Sequence, residues 1–407
     1  MKPIILDFDR IDGAEARKAY DKLMKMGLPD SKNEEYRYFD IEPLMMREWD
    51  IFQSPIVSDG PAKGERVVIT DGVVTEIPAD GSVTLSTDSD MKIESDHFDP
   101  LYYLSHAGSP VTSALRFKKD CRVEIEYRYT QPQRLLLSRV AIFVDANVEV
   151  EIFERFSGVE ATGSFVVDGY DLFASAYSRV TIVREDTLYE NGYIHISPLH
   201  LEVDAQASVK LKTFDFGDGQ GLTNFTARLH DHAEIEADHL LYASRNARRG
   251  TVSKIIHRGL GSHSDQKGKS ILGDSARGIF DALIRVEHSG KYTKAHQNSK
   301  AILLDSGAYM ASKPQLEIYI DDLEASHGST TGQLDERALF YLRSRGIDED
   351  KARQMLILAF ANELIDDISV DGWRDRIHLA FEEAYCGGAR LECMSTCHNC
   401  ENTIVGE

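Results

Sequence analysis

The sequence predicts a mainly β protein, in which a long β-solenoid core is flanked by helical regions at both ends. In the middle of the chain, a small residue followed by alternating apolar and polar residues recurs at Ala146, Ser178, Ala207 and Ala233. The apolar anchors of these segments return after 32, 29 and 26 residues, at Val148, Val180, Val209 and Ile235. Such near-regular returns are typical of a coiled sheet in which each rung packs on its neighbours.

The solenoid prediction has one alternative. A β-sandwich also produces many strands with one inward and one outward face. The long spacing, and the lack of a short hairpin turn such as Asn-Gly at each return, favour the solenoid. We therefore predict that residues 55–332 form a solenoid, with strands throughout.

Residues 1–54 are predicted to be mainly helical. The segment from Ala14 to Met26 is rich in Ala, Lys, Leu and Met, and Gly27 with Pro29 ends it. The following segment, residues 33–38, mixes charges with aromatic rings. We interpret it as a helical turn that packs on the next domain.

Residues 333–392 are predicted to form three helices. The first runs from Leu334 to Ser344, Asp348 caps the second, and Asp371 opens the third. The second helix has so wide an apolar stripe that most of it must be covered. The helices either pack only on each other or present an apolar face to a partner protein, and the sequence leaves both arrangements open.

Charge and hydropathy restrict the classes of partner. The 407 residues have a formal net charge of −21, which repels phosphate backbones, so we expect no nucleic-acid partner. The first residues contain no apolar signal segment, and the longest apolar run, residues 355–361, is too short to span a membrane. We therefore expect a cytoplasmic protein without a membrane partner.

Four of the five cysteines lie close together near the end of the sequence, at Cys386, Cys393, Cys397 and Cys400. In a reducing compartment such a cluster indicates a metal rather than a disulfide. Four thiolates can bind zinc or hold an iron–sulfur cluster. The alternatives for this Cys-rich tail, residues 393–407, are a flexible reduced segment and a segment that accepts sulfur.

The sequence contains no motif that indicates catalysis. Gly268-Lys269-Ser270 imitates the end of a phosphate-binding loop, but the glycine required five residues earlier is replaced by His263. The four histidines between residues 257 and 300 lack the spacing of a zinc hydrolase, and we interpret them as locally hydrogen-bonded. We predict that the protein is not an enzyme, and that any ATPase activity it works with belongs to another subunit.

The segment from Lys313 to Arg345 is the most informative part of the sequence. A strand at residues 316–320 leads into an acidic turn and then into Ser326-His327-Gly328. Gly328 and Gly332 predict a loose, exposed junction between this strand and the following helix. A neutral imidazole at His327 can ligate iron or relay a proton there, and the alternative is a histidine that only packs or caps.

The same segment closely resembles the SufB/SufD family of iron–sulfur cluster assembly proteins, and within it the SufD-like branch. The matching stretches are residues 313–318, 321–322, 326–328, 332–336 and 339–346. Weaker likeness extends back through residues 297–304 and 280–284 to residues 35–38. The resemblance thus covers most of the chain and is strongest in its last third.

The resemblance implies a right-handed parallel β-helix between helical ends, in agreement with the repeat pattern. It also implies a scaffold complex in which SufD pairs with SufB through their β-helices, while the ATPase SufC binds the C-terminal helices of each. We expect those helices to contact the ATPase through Leu339, Phe340, Met355, Leu356 and Phe360.

Cluster formation is implied at the SufB–SufD interface, where the histidine of the Ser-His-Gly motif falls on His327, with Glu324 as a second candidate. Many relatives carry cysteine two residues before this histidine, but here the residue is Ala325, so thiolates would come from SufB. Imidazole and carboxylate suit incoming ferrous iron better than a mature cluster. We expect no tightly bound cofactor, only transient iron or iron–sulfur cluster at this interface.

Two other functions are alternatives. The chain would be SufB-like if it held the nascent cluster on its own C-terminal cysteines, but its SufD-like motif and a core nearly free of cysteine disfavour this. It would be a β-helix lyase or another carbohydrate-active enzyme if it had a groove of catalytic residues, which the sequence does not reveal. Whether it pairs with SufB or with a second copy of itself stays open, as does flavin binding.

Overall fold

Two stacked sheets form the core of the molecule. The computed structural model describes residue 11 and residues 13–52, 61–87, 93–94, 96–109, 113–158, 160–189 and 192–386. Sheet A contains β1 (Asp50–Ile51), β5 (Val83–Thr87), β6 (Ser113–Phe117), β8 (Arg134–Val144), β10 (Phe165–Ala174), β12 (Ile194–Val203), β14 (Gln220–Leu229), β16 (Arg248–His257), β18 (Arg277–Val286) and β20 (Tyr309–Ile318). Sheet B contains β2 (Ala62–Gly64), β3 (Val67–Thr70), β4 (Val73–Pro78), β7 (Cys121–Arg128), β9 (Glu149–Ser157), β11 (Arg179–Leu188), β13 (Ser208–Gly217), β15 (Glu234–Ala243), β17 (His263–Leu272), β19 (Thr293–Leu303) and β21 (Leu323–Gly332).

From β8 onward the chain alternates between the sheets, and each strand pairs in parallel with the strand two before it. Sheet A therefore grows in the order β6-β8-β10 up to β20, and sheet B in the order β7-β9-β11 up to β21. Antiparallel pairs occur only at the start of the described core, between β3 and β4 and between β5 and β6. This architecture is a parallel β-solenoid of about seven turns, and it confirms the predicted core.

The register of sheet B corrects the alignment predicted from the sequence. One row of sheet B runs across four strands, β9, β11, β13 and β15. Its residues are Val150, Val180, Val209 and Ile235. The anchor of the first rung is thus Val150, whereas Val148 lies in the turn before β9. The sequence does not separate the two valines, because both are apolar and both fit the alternation.

Tight turns join each strand of sheet A to the next strand of sheet B. Four of these turns hold one non-glycine residue in the left-handed region, with φ between 56° and 64° at Asn147, Tyr177, Gln206 and His232. Each of these residues donates its backbone N–H to a carbonyl in the turn of the next rung, at 2.8–3.2 Å. The residue that follows is buried, and it is the small residue of the repeat at Ser178, Ala207 and Ala233. In the first rung Val148 occupies this position, and the predicted small residue Ala146 is exposed.

The N-terminal helices cover the outer face of sheet A. They are α1 (Ala14–Met26), a 3₁₀ helix (Glu34–Tyr36), α2 (Glu42–Met46) and α3 (Pro100–Gly108). Leu23 of α1 and Leu101 of α3 are buried in one cluster with Phe165 of sheet A. The buried Tyr36 donates its hydroxyl to Asp99 Oδ1 at 2.7 Å, so the interpretation of residues 33–38 as a packed turn is confirmed.

The prediction of strands throughout residues 55–332 is wrong at α3. This helix is as apolar as a buried strand, and every residue from Pro100 to Ala107 is buried, so its hydropathy pattern is ambiguous. The available signal is the helix start: Asp99 accepts a hydrogen bond from the Leu101 N–H at 2.8 Å, and Pro100 occupies the first turn.

Three helices follow the solenoid, as predicted: α4 (Glu336–Ser344), α5 (Glu349–Ile365) and α6 (Asp371–Cys386). Asp348 caps α5 by accepting the Asp350 N–H at 2.9 Å. The apolar faces of α5 and α6 pack on the outer face of sheet B. There the ring centroids of Trp373 and Phe153 lie 5.3 Å apart, and those of Phe381 and Phe216 lie 5.4 Å apart. The helices thus use the chain's own solenoid as their main support.

Two lysines of sheet B fix these helices to the solenoid. Lys212 Nζ lies 2.5 Å from Asp367 Oδ2, and Lys269 Nζ donates to the Phe360 carbonyl at 2.9 Å. Both side chains are almost fully buried, so they link the helical region to sheet B inside the molecule. None of the helices in the described ranges combines the length and apolar character needed to cross a bilayer.

Candidate functional site

The solenoid ends in two neighbouring strands that we call the terminal edge, β20 of sheet A and β21 of sheet B. Each has a ladder partner on one side only, β18 for β20 and β19 for β21. The two strands contact each other across the sheets, since the Ser329 hydroxyl lies 2.8 Å from the Ser312 hydroxyl. A terminal strand exposes a row of backbone N–H and C=O groups that another chain can pair with.

His327 lies on β21, at the end of a row of polar inward positions. In register it follows Gln297 on β19 and Gln266 on β17, and both glutamines are buried between the sheets. His327 occupies the same position on the last rung, where no further rung covers it, and it is exposed. The fold therefore turns an interior position into a surface position at the terminal edge.

The hydrogen bonding of His327 indicates its tautomer. Its Nδ1 lies 3.3 Å from the carbonyl oxygen of Pro314 on β20. A carbonyl only accepts, so Nδ1 carries the proton and the neutral ring keeps its lone pair on Nε2. Among the described residues Nε2 has no hydrogen-bond partner. A neutral imidazole held in this way is the form that binds a metal ion.

Glu324, the second predicted site residue, also lies on β21, but the structure does not bring it to His327. Side chains alternate between the faces of a strand, so two residues three positions apart point to opposite faces. Glu324 points outward toward Lys294, at 3.9 Å, whereas His327 points toward β20. Ala325 shares the inward face with His327 and offers no ligand.

The Ser-His-Gly motif is not at a loose junction, and this prediction from Gly328 and Gly332 is wrong. Residues 323–332 are a regular strand in register with β19 over its whole length. The sequence hides the strand because alternation of apolar and polar residues needs a buried face. On the last rung only Leu323 and Ala325 of the inward face pack on the apolar core, and Ser, Thr and Gly occupy most of the remaining positions on both faces.

The residues predicted to contact an ATPase divide into two groups. Leu339 is only 3% exposed and therefore supports α4 from inside, while Leu356 and Phe360 are partly buried, Phe360 beneath Lys269 Nζ at 4.5 Å. Phe340 and Met355 are exposed, Phe340 by 72%. Of the predicted set, only Phe340 is free to bind a partner through most of its side chain, since Met355 is 37% exposed.

The predicted metal site on the cysteines lies almost entirely outside the described residues. Only Cys386 is described, as the last residue of α6, where the Gln354 Nε2 donates to its sulfur at 3.1 Å. Cys393, Cys397 and Cys400 lie outside the described ranges. The other described cysteine, Cys121, lies on β7, and burial raises the pKa of its thiol to about 11.

The interpretation of residues 268–270 is confirmed. The interpretation of the four histidines as locally hydrogen-bonded is confirmed for His257 and for His296, whose Nδ1 lies 2.8 Å from the Ser326 hydroxyl. Gly268-Lys269-Ser270 lies within strand β17 and not in a phosphate-binding loop. His257 is buried, and its two ring nitrogens lie 2.8 Å from the hydroxyls of Ser262 and Ser264. Burial, together with the nearby His263, lowers the pKa of His257 to about 3, so its role is local hydrogen bonding.

A network of charges inside the solenoid was not anticipated from the sequence. Arg184 is fully buried and donates to Glu154 at 2.8 Å, and His195 lies between Asp168 and Asp186 at 2.7 and 2.8 Å. The available signal is the alternation of β11, since Arg184 and Asp186 continue the inward positions of Val180 and Ile182. Charges at inward positions of a strand must be paired, so they predict a buried network.

Comparisons with known proteins place this architecture in a family. A family model described as "SUF system FeS cluster assembly, SufBD core domain" matches residues 127–360, more than half of the chain. The sequence is 24% identical to the iron–sulfur cluster assembly protein SufD of Escherichia coli over 92% of this chain and 94% of that protein. A SufBD family protein of Mycobacterium leprae is 41% identical over 26% of each chain.

A plant relative gives a more partial match. The chloroplastic protein ABCI7 of Arabidopsis thaliana is 26% identical over 67% of this chain, and the match spans only 60% of that relative. The bacterial SufD match, by contrast, runs over nearly the whole of both proteins. The chain therefore belongs to the SufBD family of SUF-system iron–sulfur cluster assembly proteins, and by distant similarity it is SufD-like.

Proposed function

We propose that this chain is the SufD-like subunit of a SufBCD-type assembly complex and that it docks a SufB-like paralogue through its terminal edge. The observation that supports the proposal most is that β20 and β21 both end the sheets without a further partner, and that His327 is exposed on this edge. A paralogous solenoid that ended in the same way would continue both ladders. His327 would then lie at the junction of the two subunits.

At this junction His327 would act as a ligand from the SufD-like side. Its Nε2 keeps a lone pair because Nδ1 is held by the Pro314 carbonyl. Ala325 offers no thiolate on the same face, so thiolates would come from the SufB-like side. Ferrous iron or a nascent iron–sulfur cluster would be cargo at this site, and borderline imidazole suits incoming ferrous iron.

The C-terminal helices would connect this junction to a SufC-like ATPase. The exposed Phe340 and Met355 offer contact points, while the buried faces of α5 and α6 are fixed to sheet B. A push on the exposed side would reach the solenoid through Lys212 and Lys269, which bridge helices and sheet. The chain itself would be an assembly component and not a catalyst, in line with the absence of a nucleotide loop from its sequence.

Proline scanning of β21 tests the docking step. The N–H groups of successive residues in a strand point to opposite sides. One of the two variants Ser329→Pro and Thr330→Pro therefore removes a hydrogen bond to β19, and the other removes a donor only from the open edge. We expect the variant that loses the bond to β19 to have a lower melting temperature, and the other variant to melt like the wild type. The variant with an unchanged melting temperature should fail to copurify with a tagged SufB-like protein.

As a matched control, copurification of the SufC-like ATPase with each variant is measured in the same cells. Loss of the SufB-like partner with retention of the ATPase would locate the defect at the terminal edge. If the thermally unaltered proline variant still brings down the SufB-like protein as well as the wild type does, docking does not use the free edge of β21. Copurification of neither protein with the wild-type chain would contradict the whole proposal.

A further inference from the structure

A second cluster of ligand-type side chains lies on the outer face of sheet A, away from the terminal edge. His200 and Glu202 alternate on β12, so they share one face of the strand. Glu94, from the segment before α3, reaches the same place. His200 is 3% exposed and Glu94 is 7% exposed, so the cluster is covered by the N-terminal region.

The distances within the cluster are close to those between the ligands of one metal ion. His200 Nε2 lies 3.4 Å from Glu202 Oε2 and 3.8 Å from Glu94 Oε2. Ligand atoms around a tetrahedral ion with bonds of about 2.0–2.2 Å stand about 3.3–3.6 Å apart. The first distance falls in this range, the second is slightly longer, and the three ligand atoms all lie within 4.8 Å of one another.

The imidazole of His200 is only partly satisfied. Its Nδ1 is buried without a partner among the described residues, and its Nε2 lies at the long end of the hydrogen-bond range from Glu202 Oε2, at 3.4 Å. A buried polar group left in this way costs about 1–3 kcal/mol. A cation between Nε2 and the carboxylates would use the lone pair of Nε2 and both negative charges.

Surrounding groups hold the carboxylates in place. The second oxygen of Glu202 lies 2.5 Å from His230 Nε2, and Glu94 Oε1 accepts the Asp96 N–H at 2.8 Å. Such outer contacts orient metal ligands in proteins. Arg228 also pairs with Glu94, which offsets one carboxylate and competes with a cation for the same oxygen.

A second cluster of carboxylates in the molecule has its negative charge compensated by a lysine. Glu236, Asp238 and Asp367 also converge, but Lys212 Nζ lies among them at 2.8, 2.9 and 2.5 Å. There the ammonium group supplies the positive charge at hydrogen-bond distance. At His200 no single cation bridges the cluster in this way among the described residues, because Arg228 pairs with Glu94 whereas His230 lies beside Glu202.

We propose that His200, Glu202 and Glu94 form a site for one divalent transition-metal ion, such as Zn²⁺ or Fe²⁺, with solvent in the fourth position. One imidazole with two carboxylates favours such ions over Mg²⁺ and Ca²⁺, which prefer oxygen ligands alone. Because Arg228 competes for Glu94, we expect binding to be weaker than at a site without a competing cation. The site lies outside the terminal edge, so it does not depend on the proposed docking function.

Titration of the full chain with Zn²⁺ and, separately, with Co²⁺ tests the proposal. The parent protein carries serine in place of Cys386, Cys393, Cys397 and Cys400, so that thiolates of the tail do not bind the added ion. We expect one equivalent to bind and to raise the melting temperature. His200→Gln and Glu202→Gln should each weaken binding at least tenfold, whereas His288→Gln, a control outside the cluster, should not.

The variant Arg228→Met distinguishes a metal site from a cluster of side chains that only stabilises the fold. Removal of the competing guanidinium should tighten binding of Zn²⁺ about tenfold or more. The melting temperatures of the metal-free variants show whether each is folded, and Glu202→Gln, on the more exposed side of the cluster, remains usable if His200→Gln is not. A parent protein that binds no equivalent, or variants of His200 and Glu202 that bind like the parent, would overturn the proposal.

Discussion

The middle strands of the solenoid, β9 to β16, and its final strands, β20 and β21, share one repeat but differ in what fills their inward positions. In the middle, charged side chains are buried in pairs, as with Arg184 and Glu154 at 2.8 Å. On β21 the inward positions begin with the partly buried Leu323 and Ala325, but they end with His327, Ser329 and Thr331, which are exposed. The same backbone thus serves stability in one region and leaves unpaired groups for a partner in the other.

This difference indicates that stability and assembly depend on different parts of the solenoid along its axis. A buried charge must be paired on its own chain, because an unpaired charge in the interior is strongly unfavourable. A polar group on the last rung has no such requirement, because water satisfies it until another chain does. We therefore expect substitutions in the middle to alter stability and substitutions at the terminal edge to alter assembly.

The largest effect is expected from Arg184→Met. It leaves Glu154 buried without its cation, and breaking a buried pair in this way typically costs about 3–5 kcal/mol. The matched control is Arg179→Met on the same strand, because Arg179 pairs with Glu149 in the same register but is largely exposed. That change should cost much less, because solvent screens an exposed pair. Urea unfolding measures both, and equal losses would show that burial of the pair is not decisive.

A second prediction concerns the pH dependence of stability. Burial disfavours a charged His195, but Asp168 and Asp186 outweigh this and raise the pKa of His195 to about 10 from 6.5. The folded protein therefore binds a proton that the unfolded chain loses above pH 6.5. The stability from His195 is complete below pH 6.5 and is lost as the pH rises toward 10.

Asp168, a partner of His195, determines how stability changes at acid pH. Burial opposes a charged Asp168, but His195 and Arg184 lower the pKa of its carboxyl from 3.8 to about 2. The contribution of Asp168 to stability is therefore present above pH 3.8 and is lost toward pH 2.

The test follows the basic side. Unfolding followed from pH 6 to pH 10 should show a decline of a few kcal/mol in the wild type, since one pKa unit is worth about 1.4 kcal/mol. His195→Gln should show a smaller decline, and parallel curves for the two proteins would contradict the assignment.

A third prediction compares two histidines. His257→Ala should cost about 2–3 kcal/mol, because it leaves a cavity and removes partners of two buried hydroxyls. His327→Ala should change the free energy of unfolding by less than about 0.5 kcal/mol, because the side chain is exposed. In a reconstituted complex with SufB-like and SufC-like proteins, however, His327→Ala should lower the rate of cluster formation. A normal rate would remove His327 from the site.

The smallest effect is expected from Glu324→Gln. Glu324 points away from His327 toward the exposed Lys294, at 3.9 Å, so its loss should change stability by less than about 0.5 kcal/mol. Cluster formation should also be lowered less than in His327→Ala. A loss as large as that of His327→Ala would mean that both faces of β21 contribute to the site.

The same contrast explains which parts of the fold the sequence predicts. Strands in the middle are predictable because their inward residues are apolar, as with Val180 and Val209, and the capped helices at the end are predictable from residues such as Asp348. Strand β21 is not predictable from alternation, since it lacks a buried apolar face. For the candidate site, the motif identifies His327, but only the register with β19 shows that Glu324 lies on the other face.

Hydrogen–deuterium exchange of the chain alone and with a SufB-like partner tests the central claim most directly. In the free chain we expect residues 309–332 to exchange faster than β9 to β16, because one side of each final strand is unpaired. Addition of the partner should slow exchange in residues 309–332 and leave the middle strands unchanged. Protection that appears elsewhere on the surface, with none in β20 and β21, would contradict the claim that the terminal edge is the docking surface.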